Sequence, residues 1–451
     1  MIPTPKQLLA LWETVRTSFW FVPSLMAAAA VALALVMVQV DRLATDDRIQ
    51  PGSWIHGGGP EGARAVLSTA AGSMITVAGV VFSITIVALT LASAQFGSRL
   101  LRTFMRDLGN QVVLGTFIAT FVYCLLVLPT VGETDGRAFV PHLSITVALG
   151  LALASLGVLI FFIHHVARSI QAETVIAAVA DDLDDVIEHL FPEEIGRDPP
   201  DGDAGLPPDF ARSARPVASR RDGYVLVIDD DALMALAEAH DLLLRIERRP
   251  GHFVVAGDPL ALAAAPAGRI DDGLADAIRR TFVLDVRRSL PQDAEFGLTQ
   301  LVELALRGLS PGINDPFLAI TCIDRLGQAL CRLARRSMPS PHRHDATGRL
   351  RVVAPAESFD RLLACALDPI RRYGREHPSV MIRLLGTIAA IAGDTRDERR
   401  RRLLRDHADA VLDAGLAALT DERDRQAVRA KHEAVTAVLA DQARPDDARP
   451  A

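Results

Sequence analysis

The chain has 451 residues, 50% of them hydrophobic, and a formal net charge of −7; that acidity excludes a general nucleic-acid binder, which needs a basic surface to neutralise phosphates. Lys6 and Lys431 are the only lysines, so Schiff-base chemistry, a P-loop lysine and a biotinyl or lipoyl attachment lysine are excluded between them. The cysteines Cys124, Cys322, Cys331 and Cys365 form no CxxC pair, which argues against a disulfide framework or structural zinc and for reduced, buried thiols.

Four uncharged apolar runs, about 19–40, 66–92, 112–131 and 143–163, are long enough to cross roughly 30 Å of hydrocarbon. The first runs into Gln39-Val40-Asp41 without a small-x-small cleavage site, so it reads as a retained anchor rather than a signal peptide. Lys6, Arg16, Arg99, Arg102, Arg106 and Arg168 flank the spans on one side, and Arg42, Arg48, Arg64 and Arg137 on the other. By the positive-inside rule the first set is cytoplasmic, with both termini. Between the first two spans, Gly57-Gly58-Gly59-Pro60-Glu61-Gly62 matches the letters of G-x-G-x-x-G. Its flanks are a polar loop and a span, not a strand and a phosphate-binding helix, so it is composition rather than a nucleotide site.

The second span carries Thr69, Thr76, Ser83 and Thr90 every seven residues, with Gly72 and Gly79 beside them. One helix face is therefore small and weakly polar. Just beyond it, Gln95, Arg99 and Arg102 continue as a basic amphipathic segment. Two readings compete: helix packing through small residues, or a hydroxyl-lined pore in a homo-oligomer ending in an arginine ring that favours anions. Gly150, Ala154 and Gly157 make a second small-residue face on the fourth span, and His164 and His165 close that span as a solvated interfacial pair.

Residues 169–192 read as an amphipathic connecting helix with Ile176, Leu183 and Ile187 on one face and Asp181, Asp184, Asp185 and Glu188 on a solvated one. Residues 193–220 read as a linker, and 221–266 as a small α/β unit with strands at 224–228 and 242–247. Residues 267–440 are predicted helical and 441–451 a disordered tail. A helix to Leu309 breaks at Ser310-Pro311-Gly312-Ile313-Asn314-Asp315-Pro316, where Asp315 caps the next helix and Pro316 opens it. Gly308-Leu309-Ser310-Pro311-Gly312 spells G-x-S-x-G, but it follows a helix, and Pro311 has no N–H for an oxyanion hole, so the hydrolase reading fails. Asn314 and Asp315 fit turn formation and capping; a functional reading would join Gln292, Asp293, Arg307, Ser310, Gly312, Asn314 and Asp315 into one polar surface for a ligand or partner. His342 and His344 near Asp345 read as loop residues rather than metal ligands.

Two stretches, Val81-Phe82-Ser83-Ile84-Thr85 through Gln95-Phe96-Gly97-Ser98-Arg99-Leu100-Leu101 and Phe296-Gly297-Leu298 through Ser310-Pro311-Gly312-Ile313-Asn314-Asp315-Pro316-Phe317, resemble a family of bacterial predicted membrane proteins catalogued as domain of unknown function 2254. With the four-span layout and the Gly251–Leu260 turn, the similarity covers most of the chain. The resemblance implies an inner-membrane location and a two-part architecture and brings no catalytic residue with it. The fold class expected is an α-helical membrane domain of four transmembrane helices, residues 1–168, followed by a cytoplasmic α/β domain that is mostly helical with a small β unit. The expected function is a homo-oligomeric ion channel or transport-related protein with a cytoplasmic regulatory domain, against a non-conducting scaffold or sensor. No nucleophile–base set points to an enzyme. No cofactor or metal is expected; the expected partners are the lipid bilayer, further copies of the chain, and ions or a cytoplasmic ligand.

Overall fold

The computed structural model describes residues 19–46, 59–96, 107–134, 137–169, 171–191, 206–265, 270–288, 292–355 and 357–441. The chain divides into two units, one ending at Val175 and the other beginning at Ile176.

The first unit holds four helices, α1 (Phe21–Asp46), α2 (Pro60–Phe96), α3 (Leu108–Val127) and α4 (His142–Ser169), each long and apolar enough to cross a membrane. They overlap the four predicted spans; α2 and α4 run past both ends of the uncharged run, α1 past its end and α3 past its start, because helix continues through flanking polar residues. The 37 residues of α2 make the longest, about 55 Å at 1.5 Å per residue. α3 is the most enclosed, with 44% of its most apolar stretch buried against 22% for each of the others, so it forms the bundle's centre. Its Tyr123, Cys124 and Val127 pack against Ala30 and Ala34 of α1, Leu67 and Ala71 of α2, and Ile145 and Ala148 of α4. The alanines let helix axes approach closely. Further along, Val113, Leu114 and Phe117 meet Ala78 and Val81 of α2 and Phe162 and Val166 of α4. A 3-10 turn at Leu128–Thr130 and an antiparallel hairpin, β1 (Gly132–Thr134) and β2 (Arg137–Phe139), join α3 to α4; the sequence reading has no strand there.

Polar ties fix both ends of this bundle. At one rim the carboxylate of Asp41, 5% exposed, accepts from the backbone N–H of Leu143 (2.9 Å) and Ser144 (2.8 Å) and from the Ser144 hydroxyl (2.5 Å). It satisfies the open N-terminus of α4 from the far end of α1. At the same rim the guanidinium of Arg64 donates to the Val131 carbonyl (2.9 and 2.6 Å). At the other rim Asp107 caps α3 by accepting from Gly109 N–H (2.8 Å) and pairs with Nε2 of His165 on α4 (2.5 Å). A methyl on Gly109 would lie 2.6 Å from that nitrogen, so only glycine admits the imidazole.

The second unit opens with the rest of α5 (Ala172–Leu190), a one-turn helix α6 (Phe210–Ser213) and β3 (Arg215–Ala218). Then come β4 (Gly223–Ile228), α7 (Asp230–Ala239), β5 (Leu243–Ile246), β6 (Phe253–Val254), β7 (Pro259–Ala264), α8 (Asp272–Arg280) and β8 (Phe282–Asp285). Helices α9 (Ala294–Gly308) and α10 (Pro316–Arg335) precede β9 (His342–His344) and β10 (Leu350–Val353), and α11 (Phe359–Gly374), α12 (Pro378–Gly393), α13 (Glu398–Ala418) and α14 (Glu422–Asp441) finish it.

The strands form a five-stranded sheet in the order β3-β7-β5-β10-β9 and a three-stranded sheet β6-β4-β8, closing with α7 and α8 over one core of Val225, Leu244, Val254, Leu260, Ile278 and Val352. Among the described residues only β10 and β5 pair in parallel, Val352 opposite Leu244. This α/β part therefore takes in more chain than 221–266: β3 and α6 come from the predicted linker, and α8, β8, β9 and β10 from the stretch read as helical. In the helical part α9 and α11 run parallel, with Glu295 beside Arg361 near their starts, Thr299 beside Cys365 midway, and Leu309 close to Gly374 at their ends. α12 is apolar and enclosed: Met381, Leu384, Leu385, Ile388 and Ile391 are fully buried where it packs against α10, α13 and α14.

Candidate functional site

In the first unit, the residues of α2 that face its neighbours are Ala63, Leu67, Ala71, Ala78, Val81, Thr85 and Ala88, all buried. Thr69, Thr76, Ser83 and Thr90 lie on the other side and are exposed, as are Gly72 and Gly79, beside which a methyl would meet nothing within 4 Å. Gly150, Ala154 and Gly157 on α4 are exposed in the same way. Both small-residue faces are thus left open by packing within one chain. The hydroxyls of Thr76 and Thr90 donate to the carbonyls one turn back, Gly72 and Ile86 (2.8 Å each). A shallow groove of about 430 Å³ between α2 and α4 takes in Thr69, Ser73, Met74, Leu149 and Ala152. Gln95 belongs to α2, but its side chain lies outside the described residues, as do Arg99 and Arg102 entirely. The histidine pair divides: His165 is tied to Asp107 and stacks on Phe161, while His164 is exposed.

In the second unit, the seven polar residues grouped by the sequence reading fall at opposite ends of α9. Its 15 residues separate them by about 22 Å. At the start, the Gln292 amide pairs with the backbone of Ile228 on β4, accepting from its N–H (2.9 Å) and donating to its carbonyl (3.3 Å). Asp293, 1% exposed, caps α9 through Phe296 N–H (3.0 Å) and takes both Nε and a terminal nitrogen of Arg288 (2.5 and 2.9 Å).

The other end is a surface turn. Ser310 donates to the Arg307 carbonyl (2.6 Å), and Asn314, at φ +50°, donates its N–H to Ser310 (2.8 Å). Asp315 accepts from Phe317 and Leu318 N–H (3.1 Å each), opening α10 at Pro316 as predicted. Asn314 suits the left-handed position. Gly308 is forced, since a methyl there would sit 2.8 Å from the Asp315 carbonyl oxygen, whereas Gly312 stands in open space. Ile313 and Phe317 project from this turn, 48% and 75% exposed.

The acidic face of α5 is only partly solvated. Asp184 pairs with Arg332 of α10 (2.9 Å) and accepts from Gln328 (3.3 Å), and Arg336 donates to the last carbonyls, Ile187 (2.9 Å) and Phe191 (2.7 Å). The favourable charge at a helix C-terminus is a cation.

The densest charged cluster is one the sequence reading does not single out. The β5–β6 turn carries Arg249, Gly251 and His252 into the seam between the N-termini of α9 and α11. Arg249, its side chain 7% exposed, donates to both Glu295 and Glu357 and, through Nε, to Nε2 of His252 (3.1 Å). Arg361 holds Glu295 from the other side (3.0 Å). Gly251, at φ +86°, is required twice over, because a methyl there would lie 2.2 Å from Asp293 Oδ2. Burial pushes the Glu295 carboxyl up, but hydrogen bonds from Arg361 and Arg249 outweigh it and hold it below the ordinary value. Glu357 goes the other way: burial raises it, Arg249 opposes, and the neighbouring Glu295 and Asp293 add to the rise. Burial and the adjacent arginines keep His252 neutral at lower pH than usual. The only advance signal was the run Arg248-Arg249-Pro250-Gly251-His252, a turn with too much charge for its length.

Among the described residues, the grouping with metal-ligand spacing is Asp229, Asp230 and Asp231 at the start of α7, where Asp229 caps the helix through Ala232 N–H (3.3 Å) and acidic residues complement the dipole. Asp345 is engaged by Arg351 (2.7 Å) and by its own turn at Thr347 and Arg349. Burial drives the thiols of Cys322 and Cys331 up to about 12, which leaves both unreactive.

Comparison with known proteins agrees with this architecture. Residues 16–390 match the family described as predicted membrane protein, domain of unknown function 2254. An uncharacterised protein of Mycobacterium tuberculosis (strain H37Rv) and one of Mycobacterium bovis are each 37% identical over 376 residues, covering 82% of this chain and 71% of theirs. No solved structure matches. A chain whose four apolar helices and following mixed domain as far as α12 fall inside that match belongs to the predicted membrane protein family, domain of unknown function 2254.

Proposed function

We propose that the protein is a homo-oligomeric ion channel or transport-related protein of the bacterial inner membrane, with both termini and the second unit in the cytoplasm and the second unit regulatory. The observation that carries this reading is the outward-facing row Thr69, Thr76, Ser83 and Thr90 on α2. A helix face of hydroxyls and glycines left open within one chain is suited to a second copy or a water-filled axis. The arginine bias of the span ends supports the orientation. Purified protein in liposomes tests the reading: ion flux that Thr76→Leu or Ser83→Leu abolishes supports it. Oligomers that form normally and pass no ion under voltage, tension or pH change refute it.

One observation favours the rival, a non-conducting scaffold or sensor that works through the second unit. Thr76 and Thr90 spend their hydroxyl protons on their own helix, as residues facing lipid do. Water-soluble thiol reagents distinguish the two, since Thr76→Cys reacts on a wet face and is protected on a lipid-facing or packed one.

A further inference from the structure

The seam between the α/β part and the helical part has an odd composition. Two carboxylates, Glu295 and Glu357, share one buried guanidinium, Arg249. They are not equivalent. Glu295 also holds Arg361 and therefore has two cations, whereas Glu357 has Arg249 on one oxygen only. Its other oxygen, Oε2, is buried with no hydrogen-bond partner among the described residues. The groups facing it are Arg249 and His252 from the β5–β6 turn, Asp293 and Glu295 from the start of α9, and Arg361 from α11, with Arg288 behind Asp293. His252 is not a competing proton acceptor: its Nε2 accepts from Arg249, which places the ring proton on Nδ1. Glu357 also stands at a mechanical position, in the short link between β10 of the sheet and α11 of the helical part.

We propose that Glu357 is a proton-binding residue that sets how firmly the α/β part is held to the helical part, taking one proton from solvent onto Oε2 as the seam closes and returning it as the seam opens. With the proton on Oε2, Oε1 still accepts from Arg249, and Arg249 keeps Glu295 as its full counter-charge. Without it, a second full negative charge is buried beside the first with only Arg249 shared between them, a cost relieved by swinging the link into water. Burial raises Glu357 above the ordinary glutamate value of 4.5. The sign follows: a carboxyl that holds its proton more tightly in the closed seam favours closure at low pH, and the preference is lost as pH rises through the closed-state value.

Hydrogen exchange on the full-length protein in detergent, corrected for the intrinsic pH dependence of exchange, reads this directly. Protection of 249–253 and 357–362 falls with rising pH above about 4.5, by up to roughly tenfold per pH unit. Glu357→Gln, a permanent mimic of the protonated acid, keeps protection high and flat, whereas Glu295→Gln, which removes a charge that raises Glu357, narrows the pH range over which protection falls. Flat protection in the wild type, protection that rises with pH, or an unchanged slope in Glu357→Gln overturns the assignment. The wild-type slope decides the sign even if a variant fails to fold.

Discussion

Asp41 offers the sharpest test of how the first unit is held together. Its carboxylate reaches from the end of α1 to the first turn of α4, across 103 residues of sequence, and takes three donors there. Truncation to alanine removes an N-cap, worth about 1 kcal/mol. It also leaves a second buried donor without a partner, at about 1–3 kcal/mol. Together these predict a loss of roughly 2–4 kcal/mol. Asp41→Asn keeps one acceptor oxygen in place but forfeits the charge that complements the helix terminus, so it should lose roughly half as much. The measurement is reversible unfolding in mixed detergent micelles followed by circular dichroism, with wild type above asparagine above alanine. If alanine falls within about 0.5 kcal/mol of wild type, the carboxylate is not what closes that rim, and the capping argument fails.

Gly251→Ala meets both a left-handed backbone and a clash with Asp293, and displacing that buried carboxylate from Arg288 should destabilise the second unit by roughly 3–5 kcal/mol in denaturant titration. Gly327→Ala places a methyl 2.8 Å from Thr387 Cγ2, where α10 crosses α12, and should cost roughly 1–3 kcal/mol by overpacking; Thr387→Ser in the same chain should recover much of it. Asp315→Ala removes two capping bonds at a surface turn and should cost only about 1 kcal/mol in the same titration, leaving liposome behaviour unchanged. Because Glu295 sits below its ordinary 4.5, its contribution to stability is complete above that value and disappears as pH falls through the folded one; Glu295→Gln should flatten this acid limb of the unfolding profile.

The four spans were legible because their signal is local: an uncharged run of adequate length needs no knowledge of what it touches. The same holds for the turn at Ser310–Pro316, where capping and proline rules operate within a few residues. What escaped the sequence was held by distant partners. Val352 completes the sheet beside Leu244, and Asp184 meets Arg332, each more than a hundred positions away, and no periodicity announces such pairs. The apparent linker hid β3 because a four-residue strand that opens with arginine and proline reads as loop until β7 supplies its ladder. The supposed single polar surface failed for a simpler reason: closeness in sequence across a helix of 15 residues is distance in space, and its two ends serve different neighbours. The Arg249 cluster was invisible for the opposite reason, since its members come from three separate segments.

The enclosure of α12 has a consequence for biosynthesis. Its 16 residues are mostly apolar, with Arg383 turned outward to Asp324, yet extend only about 24 Å, short of a bilayer's hydrocarbon thickness. A ribosome that has released α12 but not yet α13 and α14 holds out a greasy rod with too few neighbours to shield it, close to the machinery that has just inserted four helices. Chains truncated near residue 395 should therefore aggregate or be degraded rather than accumulate, since the last two helices are the cover over the apolar face of α12.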